Sequence, residues 1–127
     1  QLMDVEYFEV AKTGEIPPGQ TKRVRPCKGE YLLVCNMDGE IHVVEDFCSH
    51  DGAILGFGDL DGKYIVCPRH LAQFDITCGV AIGAWKNLRP LHTYPVRITG
   101  DTIEVGIKIY EAHSKTPSRP NKRGRRV

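Results

Sequence analysis

The chain has 127 residues, 41% hydrophobic and 26% charged, with a formal net charge of +1. That balance suits one ordinary globular domain with a modest core, and the lack of any run of about 18 apolar residues excludes a membrane-spanning helix. The odd cysteine count of five argues against a secreted disulfide framework and for a reducing cytoplasm with some thiols committed to a metal.

Residues Gln1 to Glu6 show neither the basic nor the apolar region of a secretory signal, so none is expected. The start at a residue other than Met leaves a trimmed leader open. The net charge hides an asymmetry. Six basic residues and no acid lie between Ser114 and Val127, leaving 11 basic against 16 acidic residues over 1–113. Residues 112–127 therefore read as a basic tail on an acidic body. No aromatics interleave with these charges, so no nucleic-acid partner is expected.

Taken in order, the signals are almost all β. Val5 to Val10 is a strand candidate, Ile16-Pro17-Pro18-Gly19 a turn, and Thr21 to Pro26 a weakly alternating strand. Tyr31 to Asn36 and Ile41 to Glu45 are β-prone runs around Asp38-Gly39, a strong hairpin signal. Phe47 to Phe57 has no period and reads as a loop. Asp61-Gly62 repeats the hairpin signal before Lys63 to Val66, and Gln73 to Ile76 is a further short strand. Thr77 to Gly83 is glycine-rich loop. Leu91 to Ile98 and Thr102 to Ile109 flank Thr99-Gly100-Asp101 as a last hairpin. A helix is conceivable only near residues 10–14 or after Gly79. Eight to ten short strands with regular turns imply an all-β sandwich or small barrel.

Two stretches carry the chemistry: Cys48-Ser49-His50 and Cys67-Pro68-Arg69-His70, sixteen residues apart. Each places a thiol and an imidazole on a loop, and a β-hairpin joins the loops. Two Cys and two His make a four-ligand metal site. Structural zinc is the plain reading, although its paired ligands commonly have two or more residues between them, and Cys48 and His50 have one. The other reading is a two-iron, two-sulfide cluster in which two His replace two Cys on one iron.

The neighbourhood of these residues resembles the Rieske ferredoxin family. The matching stretches are Phe47-Cys48-Ser49-His50-Asp51-Gly52 and Cys67-Pro68-Arg69-His70-Leu71-Ala72-Gln73-Phe74-Asp75. Framework similarity extends over roughly 5–107, through Ile16 to Gly19, Asn36 to Gly39, Leu91 to Val96 and Gly100 to Val105. The resemblance implies one Rieske-type 2Fe-2S cluster. Cys48 and Cys67 would bind the buried iron, and His50 and His70 the outer one. It implies an antiparallel β-sandwich over 1–111 with a small cluster-binding subdomain of loops and a hairpin over about 46–90. A third loop covering the cluster would fall at Gly83 to Pro90, with Trp85 on it.

Departures from the family's patterns refine the expectation. Many members have Gly where this chain has Leu71, whose apolar side chain would help shield the cluster. Respiratory Rieske subunits carry a disulfide between the cluster loops; the matching positions are Ala53 and Arg69. Their hydroxyl donors to the cluster sulfurs correspond to Ala72 and Phe74. Hydrogen bonds to sulfur favour the reduced state, so their loss implies a potential toward the roughly −150 mV end of the Rieske range. The expected function is a cytoplasmic, low-potential carrier, itself no enzyme and without a membrane anchor. It would move single electrons from a flavin-dependent NAD(P)H reductase to a terminal oxygenase. The alternatives are a small subunit of a nitrite-reductase-like complex, or a redox sensor. His42 and His92 are expected to be structural, Cys78 a thiol packed near the cluster, and Cys35 a core residue. Cys27 is expected to be free, and Arg69 to lie exposed at the tip.

Overall fold

In the computed structural model, residues 3–26, 29–50 and 52–110 are described. Ten strands form three antiparallel sheets. They are β1 (Met3–Lys12), β2 (Thr21–Val24), β3 (Leu32–Met37), β4 (Glu40–Glu45), β5 (Asp59–Asp61), β6 (Tyr64–Val66), β7 (Gln73–Asp75), β8 (Thr93–Tyr94), β9 (Val96–Thr99) and β10 (Thr102–Tyr110). The orders are β1-β10-β9, β2-β3-β4-β8 and β5-β6-β7. Among the described residues no helix is long and apolar enough to cross a membrane.

The turn chemistry sets the registers. Asp38 and Gly39 both take positive φ (53° and 96°), as a two-residue hairpin with right-handed strand twist demands. Met37 accordingly pairs with Glu40. Asn36, buried at this corner, donates from Nδ2 to the Ile16 carbonyl (2.7 Å) and accepts from Gly39 N through Oδ1 (2.7 Å). The second hairpin turns one residue later than Asp61-Gly62 suggests: Asp61 pairs with Tyr64, and the corner is Gly62-Lys63.

Two expectations need correction. Leu91 to Ile98 is not one strand. Pro95 lacks an N–H to donate, and the chain changes sheet there: β8 pairs with β4, while β9 pairs with β10. The expected β5–β6 hairpin forms, and the expected short strand Gln73–Asp75 adds to its β6 edge. Among the described residues no α-helix forms at 10–14 or in the loop after Gly79. Short 3₁₀ turns stand at Thr13–Glu15 and Gly83–Trp85, and an unanticipated one at Leu55–Phe57.

The middle sheet serves two cores. Side chains alternate along a strand, so Leu33, Cys35 and Val44 pack toward the β5-β6-β7 sheet with Leu55, Ile65, Phe74 and Ile76. Leu32, Val34 and Val43 pack the other way, against Ile103, Val105, Ile16 and Ala11. This two-faced burial explains the unbroken apolar run Leu32-Leu33-Val34-Cys35. Each such fully buried aliphatic side chain contributes about 1.5–3 kcal/mol.

Candidate metal centre

Both motif cysteines sit where a strand runs out into a loop: Cys48 after β4, and Cys67 directly after β6. The loops share one hydrogen-bond pattern. Cys48 N donates to the Ala53 carbonyl (2.9 Å) and Gly52 N to the Cys48 carbonyl (2.8 Å). Cys67 N donates to the Ala72 carbonyl (2.8 Å) and Leu71 N to the Cys67 carbonyl (3.0 Å). Each loop closes through a residue at positive φ, Gly52 at 79° and Leu71 at 62°. The Leu71 side chain at that conformation has 65% of its surface exposed.

Within this frame the four candidate donors divide by depth. Cys48 and Cys67 are fully buried in the core between the middle sheet and the β5-β6-β7 sheet. His50 and His70 are exposed. Their rings meet edge to face with centroids 4.7 Å apart. Among the described residues no three His, Cys, Asp or Glu side chains gather around a point for one ion. A two-iron cluster of this type takes one pair of donors on each iron. Buried thiolates are tolerable beside cationic metal, and exposed imidazoles give an electron a path to the surface. The donor set and its division by depth therefore fit the two-iron group.

The third loop lies over the outer pair. Its 3₁₀ turn Gly83–Trp85 brings the indole of Trp85 4.9 Å from the His50 ring and 6.5 Å from the His70 ring, centroid to centroid. Trp85 also packs on the core around the cysteines, so it is both cover and partial core. A β-bridge between Phe74 and Ala81 and the bond from Leu91 N to the Gly79 carbonyl (2.8 Å) fix the two ends of this stretch. The backbones touch so closely at Gly79 (φ +86°) that a Cβ would lie 2.1 Å from the Leu91 carbonyl oxygen.

Two buried acids, unremarked in the sequence, stand just before Cys48. Asp46 accepts from Gly56 N (2.8 Å) and from Arg23 Nε; the Arg23 guanidinium also lies 3.7 Å over the Tyr31 ring. Glu45 accepts from both Arg89 terminal nitrogens (2.8 and 3.4 Å) and from His92 N (2.8 Å). That bond to Glu45 is the main reason the Arg89 pKa is raised. Ser49, between Cys48 and His50, donates from Oγ to the Arg89 carbonyl (2.7 Å). Neighbouring strand residues point to opposite faces, and the adjacent acids tie the first loop to different elements. The ties to Arg23, Arg89 and His92 span 23 to 47 positions of sequence, beyond the reach of local pattern.

The remaining residues fall as follows. Cys35 is buried, and burial, followed by the nearby Asp46 carboxylate, pushes its thiol up to about 12. Cys78 is exposed rather than packed, because it sits in the turn that Asp75 closes by accepting from Thr77 N (2.9 Å) and Thr77 Oγ1 (2.6 Å). His42 lies in β4 beside Glu40 (3.0 Å), and the His92 backbone pairs with Glu45. Arg69 is exposed. Ala72 and Phe74 are fully buried beside the cysteines. Cys27, Asp51, His113 and the tail at 112–127 lie outside the described residues.

Comparison with known proteins agrees with this geometry. The family model for the Rieske [2Fe-2S] domain matches residues 6–95. The ferredoxin component of the naphthalene 1,2-dioxygenase system of Pseudomonas aeruginosa is 30% identical over 105 residues, covering 83% of this chain and 99% of that protein. The solved Sphingomonas yanoikuyae B1 ferredoxin superposes with a TM-score of 0.73 at 33% identity, over 79% of this chain and 97% of that one. A chain from the complex of reduced oxygenase and oxidized ferredoxin in carbazole 1,9a-dioxygenase gives the same TM-score at 27% identity, over 78% and 91%.

Proposed function

The chain belongs to the Rieske [2Fe-2S] domain family, and from that premise we propose that it is a one-electron carrier of a ring-hydroxylating oxygenase system. It takes electrons from a flavin-dependent NAD(P)H reductase and delivers them to a terminal oxygenase. Several relatives at 30% identity and above are named as ferredoxin components of dioxygenase systems, one at 32% is named as a cytochrome b6-f complex iron-sulfur subunit, and a structural neighbour comes from a ferredoxin–oxygenase complex. The carrier transforms no substrate itself.

In this reading Cys48 and Cys67 hold one iron of a single 2Fe-2S cluster, and His50 and His70 hold the other. The observation that carries it is the pairing of two fully buried thiols with two exposed, mutually touching imidazoles on loops of one shape. The cluster supplies a one-electron couple; the protein supplies its burial, its exit and its surroundings. Neutral imidazoles in place of anionic thiolates leave less negative charge on the centre and ease its reduction. Ala72 and Phe74 bring no hydroxyl to the sulfurs, which keeps the potential low in the Rieske range. We assign the Rieske domain to 1–111, its cluster-binding part to about 46–90, and the tail to 112–127. Free thiols at Cys35 and at exposed Cys78 suit a reducing cytoplasm.

Electron paramagnetic resonance of the dithionite-reduced protein tests the assignment. The expected spectrum is that of a mixed His/Cys two-iron centre, lost on replacing any of the four ligands by Ala. A silent, colourless protein that contains zinc overturns it.

A further inference from the structure

Between its two fixed ends the third loop buries little of itself. Gly83, Ala84, Lys86, Asn87, Arg89 and Pro90 are all exposed, and only Trp85 and Leu88 are partly buried against the core. At its far end, beside the bond from Leu91 N to the Gly79 carbonyl, the loop is held by a carboxylate on another element. The Glu45 side chain is only 5% exposed and takes three hydrogen bonds from this region: two from the Arg89 fork and one from His92 N. The Glu45 backbone N–H also donates to the His92 carbonyl (2.9 Å). From the same Arg89, the carbonyl reaches back to Ser49 Oγ, on the residue between two proposed ligands. The pair thus closes a circuit from the end of β4, through the third loop, to the first ligand loop.

An ion pair with only its carboxylate buried is weak grounds for stability, because desolvation offsets much of the attraction. Its strength is geometric: a bidentate fork on a carboxylate fixed by a further backbone donor permits few orientations. We infer that Glu45 and Arg89 are positioning residues of the centre, whose ion pair holds the third loop so that Trp85 covers the His50 and His70 rings. This rests on the proposed ligand assignment. Loosening the pair lets the indole leave the rings and water reach the outer side of the centre.

The test uses the full chain loaded with its cluster, and Trp85, its only tryptophan, is the reporter. In Arg89→Met, acrylamide quenching of Trp85 fluorescence should rise severalfold. Iron release to ferrozine should quicken by about tenfold, the lower end of the usual effect of losing a partner that orients a ligand loop. The reduction midpoint should shift with it. Arg89→Lys keeps the charge without the fork and should fall between. Glu45→Gln should act in the same direction, and it carries the test where Arg89→Met fails to fold, because half-exposed Arg89 can turn to solvent. Arg97→Met removes an exposed pair with Glu104 on the β9–β10 hairpin and should leave all three readings alone. Unchanged quenching and iron release in Glu45→Gln and in folded Arg89→Met, or equal changes in Arg97→Met, overturn the inference. A wild-type chain that takes up no iron–sulfur cluster instead overturns the ligand assignment beneath it, before any variant is compared.

Discussion

Gly52 and Leu71 hold the same station in two loops of one shape: each lies four residues after its cysteine, donates its N–H to that cysteine's carbonyl, and turns the chain at positive φ. Glycine adopts that conformation without steric cost, whereas leucine gives up about 1–2 kcal/mol there. Leu71→Gly relieves that strain and loses little burial, against about 0.5–1 kcal/mol of added chain entropy. The expected result in urea unfolding is no change, or a gain of up to about 1 kcal/mol. Gly52→Ala, with the Phe47 ring 3.4 Å from the added methyl, should lose about 1–2 kcal/mol. A Leu71→Gly protein weakened as much as Gly52→Ala would show that the two positions are not equivalent.

Ala72 and Phe74 offer a second test. Both are fully buried in the core that holds the two cysteines, so a hydroxyl added there meets either a sulfur or nothing. Ala72→Ser with Phe74→Tyr should raise the midpoint by on the order of 100 mV, a fraction of the Rieske span. Hydroxyls that find no acceptor would instead cost about 1–3 kcal/mol each and leave the voltammogram where it was. Voltammetry and thermal unfolding on one sample separate the two outcomes.

Acid should attack the turn that follows β7. Burial pushes the Asp75 carboxyl up, but bonds from Thr77 Oγ1 and N, and from Lys63 (3.4 Å), outweigh it and hold the group below its ordinary range. A depressed carboxylate stabilises the fold fully above its unfolded value, near 4, and this is lost as pH falls through the lower folded value. Lys63 is held above its ordinary value, chiefly by its bond to Asp75, so its share persists through neutral pH and fades only in strong alkali. Asp75→Asn should lower stability at pH 7 and flatten its decline below pH 4. An unaltered acid limb in pH-dependent denaturation would remove Asp75 from this account.

Thiol chemistry should separate Cys35 from Cys78. Cys35 is buried, and its thiol, pushed up to about 12, stays protonated and inert at neutral pH. Cys78 is free and exposed. Iodoacetamide should modify Cys78 in the native loaded protein and reach Cys35 only after unfolding, as read by peptide mass spectrometry. Native labelling of Cys35 at a rate comparable to Cys78 would contradict the packing of β3.

The sequence carried what local chemistry decides. Asp38-Gly39 announced its hairpin because two successive positive-φ residues have few other uses, and the spacing of Cys48, His50, Cys67 and His70 carries the metal site we propose. Other features depend on distant partners. Pro95 was in plain view, yet that the chain changes sheet there depends on β4 and β10 offering separate edges. Glu45 and Arg89 lie 44 positions apart, and nothing local distinguishes them from solvated surface charges. Cys78 reads as packed because it lies close in sequence to the Cys67–His70 motif but turns outward, since the Asp75–Thr77 turn sets its direction.

β3 and β4 line two cores at once, and this affects how the molecule can fail. The cluster end cannot melt as a separate unit, since releasing Leu33, Cys35 and Val44 from one side frees the same strands whose Leu32, Val34 and Val43 seat the other. Grip on the loops at one pole is therefore felt as rigidity at the opposite one. A chain stripped of its metal should show faster amide exchange even in β1 and β10, which carry no donor atom of the centre.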